Sequence, residues 1–140
     1  MAMAVSQTFT SPERRYVEAV GRVSAGDPRR FRVISRVLAD HWGMASLGDD
    51  VELVVSELVS NVVRHAGGPC RVHLSASGDG LRVQVRDYVP TWAVLGCQAP
   101  PEDDSCSGRG LMLTRAVSSW VQVLHLPDGK IVTACLGSAA

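Results

Sequence analysis

The chain carries no excess of either charge. Its 140 residues hold 14 Lys+Arg against 14 Asp+Glu, a formal net charge of zero at neutral pH. A surface built to hold nucleic acid shows as a basic excess, so direct nucleic-acid binding is not expected. No apolar run approaches the roughly 20 residues of a membrane span, and no membrane segment is expected. The start, Met1 to Phe9, lacks the basic region and apolar core of a secretion signal, which makes the expected location cytoplasmic. The four cysteines, Cys70, Cys97, Cys106 and Cys135, form no C-x-x-C pair, and no histidine stands at zinc-finger spacing. A metal or disulfide framework is therefore not expected. There is no internal repeat.

What is present suits one domain with a buried core: 46% of residues are hydrophobic and 20% charged. Residues 1 to about 15 read as a flexible tail before a single domain over 16–137. Tyr16 to Val23 alternates well enough for an edge strand. Asp27-Pro28 is a helix start, with Asp as N-cap and Pro at the first helical position. Phe31, Ile34, Leu38 and Trp42 mark the buried side of that helix, and Gly43 ends it. Cys70 to Ser75 and Leu81 to Val85 alternate as a hairpin pair of strands. Residues 88–108 are polar, Pro-rich and aperiodic, and a loop of that length in a small domain reads as a lid over a ligand. Leu111, Leu113, Thr114, Val117 and Trp120 predict a third helix. Val121 to Leu126 and Ile131 to Leu136 predict two last strands, turned at Pro127-Asp128-Gly129-Lys130. This order predicts an α+β fold: a two-layer sandwich, its sheet mostly antiparallel, with about three helices on one face.

The central segment, Asp49 to Gly67, is the most informative. Val51, Val54, Val55, Leu58 and Val62 recur at helical spacing and give an apolar stripe. Glu57 and Asn61 lie four apart and stand one above the other, with Arg64 and His65 a turn further on. A carboxylate can accept a proton, an amide oxygen can ligate Mg2+, and a cation can meet phosphate. Two further pieces follow in order: Asp87 at a strand end, and Ser107-Gly108-Arg109-Gly110-Leu111 at the mouth of a helix. Glycines there permit close approach of phosphate to backbone N–H groups.

Taken together, these pieces resemble the Bergerat-type ATP-binding domain shared by histidine kinases, gyrases, Hsp90 chaperones and MutL proteins. More closely, they resemble the compact anti-sigma factor serine/threonine kinases of actinobacteria. The resemblance covers about residues 27–136 and rests on Glu57 to Ala66, on Gly108 to Leu111 and on Trp42-Gly43-Met44. It implies ATP and Mg2+ as ligands. It implies Asn61 as the Mg2+ ligand, Glu57 as general base, and Asp87 as acceptor for the adenine amino group. It implies Gly108, Arg109, Gly110 and Leu111 around the phosphates and Arg64 beside them. His65 stands either there or as a helix-end cap. Where the family has glycine or serine two residues after the aspartate, this chain has Val89. Where the family has threonine after Gly-Lys, it has Ile131, and Thr133 is the nearest hydroxyl to support Asp87.

The function so implied is an ATP-binding anti-sigma factor with protein kinase activity. Its partners would be a sigma factor and an anti-anti-sigma (STAS-type) antagonist that it phosphorylates. Relatives of this kind often dimerise, so a homodimer is one expected assembly. The alternatives are a nucleotide-dependent partner-binding module without catalysis, a detached histidine kinase catalytic domain, and a plain α+β domain whose polar helix face is merely solvated. Arg14, Arg15, Arg29, Arg30, Arg32 and Arg36 gather around the first helix, either as a surface for an acidic protein or as a solvated face.

Overall fold

A computed structural model describes residues 4–11, 14–65, 68–78, 80–89 and 109–137. Six strands form one sheet: β1 (Ala4–Ser11), β2 (Arg14–Arg22), β3 (Pro69–Ser77), β4 (Gly80–Asp87), β5 (Trp120–Leu126) and β6 (Gly129–Gly137). Their order across the sheet is β1-β2-β3-β4-β6-β5, and every neighbouring pair is antiparallel. Three helices are described, α1 (Asp27–His41), α2 (Gly48–His65) and α3 (Arg109–Val117), with a 3-10 turn over Ala45–Leu47. The α+β sandwich expected from the sequence is the fold observed.

Register explains which residues meet. Val72 pairs with Val85, Leu74 with Val83, Val83 with Ala134 and Val85 with Val132. Side chains alternate between faces along a strand, so these residues share one face. Val17, Ala19, Leu81 and Leu136 join them, and all are buried. The stripe of α2 (Val51, Val54, Val55, Leu58, Val59 and Val62) is buried in the same cluster, and α2 packs over β4 and β6 with α1 and α3 beside it. Among the described residues no helix is long and apolar enough to cross a membrane.

The ends of α1 are built locally. The helix starts one residue earlier than Asp27 as N-cap would allow: Gly26 is the N-cap, without a side-chain bond. Asp27 instead reaches back, its Oδ2 accepting from the Ser24 N–H at 2.6 Å and from the Ser24 hydroxyl at 3.3 Å, which ties the turn before the helix to its first residue. At the other end Gly43 takes φ of +74°. Its N–H donates to Asp40 O at 3.1 Å and the Met44 N–H to Ala39 O at 2.7 Å, the two bonds of a Schellman stop. Arg36 then ties α1 to α2 by donating to Glu52 at 3.0 Å and to Asp49. Those bonds, with Glu52 the larger contributor, hold its proton more firmly than in a free arginine. Arg36 is thus spent within the fold, and only Arg29, Arg30 and Arg32 of α1's arginines face outward.

Three expectations are corrected. Residues 4–11 are not a loose tail but β1, paired along β2 from Ala4↔Val20 to Ser11↔Arg14 with a register shift between Phe9 and Ser11. Polar residues hid this strand, yet the backbone of β2 offers unpaired N–H and C=O groups that a further strand satisfies. β2 is accordingly interior rather than an edge. Trp120 does not continue α3; it opens β5 opposite Cys135. The proposed lid falls almost wholly on residues 90–108, outside the described residues.

The sheet face away from the helices carries polar pairs. Tyr16 stacks on His73 with ring centroids 5.1 Å apart, Glu18 meets Arg71 at 2.9 Å, and Arg82 lies over Trp120. Partial burial lowers the His73 pKa below its ordinary value; Arg71 and Arg82 act the same way and Glu18 opposes them. The unfolded imidazole therefore takes up a proton, as pH falls below about 6.5, that the folded one still refuses. Stability from this site is fully present above that pH and declines below it, down to the folded pKa. In denaturant titrations at pH 7.5 and 5.5, His73→Phe should lose less stability on acidification than the wild type. Equal losses would contradict this reading.

Candidate functional site

Connectivity brings the chemical pieces to one end of the sheet. β4 ends at Asp87, and Asp87 pairs across to Cys70 at the start of β3 and to Lys130 at the start of β6. Only residues 66–68 separate His65, the last residue of α2, from Pro69. A chain that short cannot carry the end of α2 far from that edge. Asn61, Arg64 and His65 therefore stand at the Asp87 end. α3 hands over to β5 at Trp120, paired to Cys135 toward the remote end, so the C-terminus of α3 is remote and its first turn points the other way.

Asp87 is 4% exposed. A buried carboxylate is tolerated only with donors around it. Its Oδ1 accepts from the N–H of Val89 at 3.2 Å and of Lys130 at 3.1 Å, and its Oδ2 lies 3.9 Å from the Lys130 ammonium. Gly129 makes the second bond possible. A Cβ there would collide with the Asp87 carbonyl oxygen and stand 2.9 Å from its carbon. The Cys70 thiol, directly opposite, is pushed up to about 12, first by burial and then by the charges of Asp87 and Asp27. It stays a neutral thiol on the floor of this region.

On α2, Asn61 is 3% exposed and its Oδ1 accepts from Arg64 Nη2 at 2.8 Å. Arg64 is exposed and stands on the amide oxygen itself, a finer placement than simple proximity to phosphate. Glu57, one turn earlier, is half-buried and enters none of the ion pairs seen among the described residues. His65 is exposed in the last turn. Leu111 is buried in the core cluster, so its side chain packs against the hydrophobic interior. Arg109 and Gly110 form the first turn of α3, and Gly108 lies outside the described residues.

Thr133 is the residue that does not join. It pairs with Gln84, whose amide donates to the threonine hydroxyl at 3.2 Å. Val132, Ala134 and Leu136 take the helix side of β6, so Thr133 takes the other. Asp87 shares the parity of Val83 and Val85 and faces the helices. The support expected from Thr133 is absent; the Val89 and Lys130 amides supply it instead. Sequence reading missed Gly129 and Lys130 because both looked like parts of a turn.

The donor set matches Mg2+ held jointly with phosphate. Among the described residues no cluster of three or more His, Cys, Asp or Glu could hold a metal by itself. Mg2+ commonly takes one or two protein oxygens and fills its shell with phosphate and water. The Asn61 amide oxygen, buried and bonded to Arg64, is an oxygen of the kind such a site would use. A cation there would repel the guanidinium, freeing Arg64 to turn to an anion.

Gly129→Ala should force β6 away from Asp87 at a cost of about 1–3 kcal/mol. Amide exchange at Val89 and Lys130 should quicken by more than at core positions such as Val83. Unchanged protection at those two amides would show that the close approach is not what seats Asp87.

No curated protein matches the sequence. The model of the histidine kinase-like ATPase domain matches residues 24–136, a span that runs from the turn before α1 to the end of β6 and holds Glu57, Asn61, Asp87 and the first turn of α3. The chain belongs to the histidine kinase-like ATPase family.

Proposed function

We propose that the protein is an anti-sigma factor that binds ATP with Mg2+ and phosphorylates a serine or threonine of an anti-anti-sigma antagonist. The observation that carries this reading is the pairing on α2 of a buried amide, Asn61, with a half-buried carboxylate, Glu57, one turn away. Phosphoryl transfer needs positioning and charge neutralisation more than covalent help. Asp87 Oδ2 would accept from the amino group of the base. Asn61 would hold Mg2+, which when bound neutralises charge on the phosphates. Arg64 would meet a phosphate oxygen. Glu57 would take the proton of the substrate hydroxyl as its oxygen bonds to the terminal phosphorus and the bond to the ADP oxygen breaks.

A second reading, a nucleotide-dependent partner switch without catalysis, is favoured by one feature. Among the described residues no threonine hydroxyl reaches Asp87, since Thr133 lies on the far face. That departure bears on how the base is held and leaves Glu57 and Asn61 untouched. The sigma factor would dock on surface apart from the nucleotide. The outward arginines of α1, beside the exposed Val33 and Val37, suit an acidic partner.

Incubation with labelled ATP, Mg2+ and candidate antagonists separates the two readings. Transfer to a serine or threonine is expected from the wild type. Glu57→Ala should lower the rate by about 10²–10⁴-fold, the range of general-base contributions, with nucleotide affinity preserved. Undiminished transfer by that variant would remove Glu57 from the base role. Absence of transfer by a wild type that binds ATP would favour the partner switch.

A further inference from the structure

The two oxygens of Asp87 are not equivalent. Oδ1 is occupied by two backbone N–H groups, from Val89 and Lys130. Oδ2 has one neighbour among the described charged groups, the Lys130 ammonium at 3.9 Å. That separation permits ion pairing but exceeds hydrogen-bond length, so neither atom is spent on the other. Among the described residues Oδ2 keeps its acceptor capacity and the ammonium keeps its three donors.

The arrangement is fixed by the backbone. Lys130 is in register with Asp87 on the adjacent strand, so both side chains leave the same face. Gly129 brings β6 hard against the Asp87 carbonyl. The Lys130 side chain is only 20% exposed, so the stem lies along the protein and the ammonium is held at this edge rather than sweeping through solvent. An acceptor and a donor are thus presented side by side, at the strand end where α2 terminates.

That pair is the complement of a base edge on which a donor adjoins an acceptor. Adenine offers this with its exocyclic amino group beside ring nitrogen N1. We propose that Lys130 is a specificity-determining residue that reads N1 of the adenine whose amino group Asp87 reads. This inference rests on the nucleotide-binding reading and deepens it. Lys130 thereby takes the place left empty by Thr133 and Ile131: the base is read by a direct charged donor in place of a hydroxyl. Loss of either partner leaves the other charge buried beside an unmatched base edge, so recognition should be steep.

The test is a comparison of ATP with 1-deaza-ATP, in which N1 is a C–H group, on the wild type and on Lys130→Met, which keeps the stem and removes the ammonium. Binding is read by calorimetry and folding by circular dichroism. The wild type should bind ATP about 10-fold or more tightly than the analogue, the scale of one charge-assisted hydrogen bond. Lys130→Met should bind both alike, near the wild-type affinity for the analogue. An equal loss for both nucleotides would show that Lys130 serves only to hold Asp87 and would overturn the proposal. So would a variant that still prefers ATP as the wild type does. A folded wild type that binds neither nucleotide would overturn the nucleotide reading itself, a result distinct from either of those.

Discussion

Everything at the candidate site depends on the burial of one helix stripe. Val51, Val54, Val55, Leu58, Val59 and Val62 of α2 are all buried against the sheet and the flanking helices. Burying side chains of that size is worth about 1.5–3 kcal/mol each, which leaves the helix no freedom to rotate. With the stripe locked inward, Asn61 is carried to the buried border of the stripe and Glu57 to its half-exposed flank. The same helix that supplies the core therefore aims the chemistry, and rotating it by one residue would cost the fold before it cost the site.

The second constraint is the meeting of β4 and β6. Asp87 sits at a strand end where a charge would ordinarily be solvated, yet it is buried and satisfied by the backbone of Val89 and Lys130. Hydrogen bonds from backbone N–H groups hold a carboxylate without a side chain that must itself be ordered. A glycine is needed at 129 because the approach that provides one of those donors leaves no room for a Cβ. Core packing thus fixes Glu57 and Asn61 on α2, and a glycine contact fixes Asp87 at the end of β4.

Much of this was legible beforehand, and the exceptions have definite causes. The α2 pattern was readable because a five-position apolar stripe, acids at its start and glycines at its end agree with one another. The β3–β4 hairpin was readable from strict alternation. β1 was not, since Ser6, Gln7 and Thr8 show no apolar face and its pairing is a property of the backbone. Trp120 was assigned to a helix because it stands three residues after Val117, a spacing that fits a helical stripe as well as a strand start. Thr133 could have been placed correctly: Val132, Ala134 and Leu136 claim the inward parity of β6 and leave Thr133 outside. Whether Lys130 lies beside Asp87 could not be read at all, because it depends on the register between strands more than 40 residues apart in sequence.

The measurement that reaches the centre of this picture is calorimetric titration of ATP, with and without Mg2+, into the wild type and Asn61→Ala. Binding by the wild type that strengthens with Mg2+, and an Asn61→Ala variant that stays folded but no longer responds to the metal, is the result expected if the α2 amide and Asp87 form one nucleotide site. A folded wild type with no affinity for ATP under either condition would contradict it, and would leave a family fold whose site has lost its ligand.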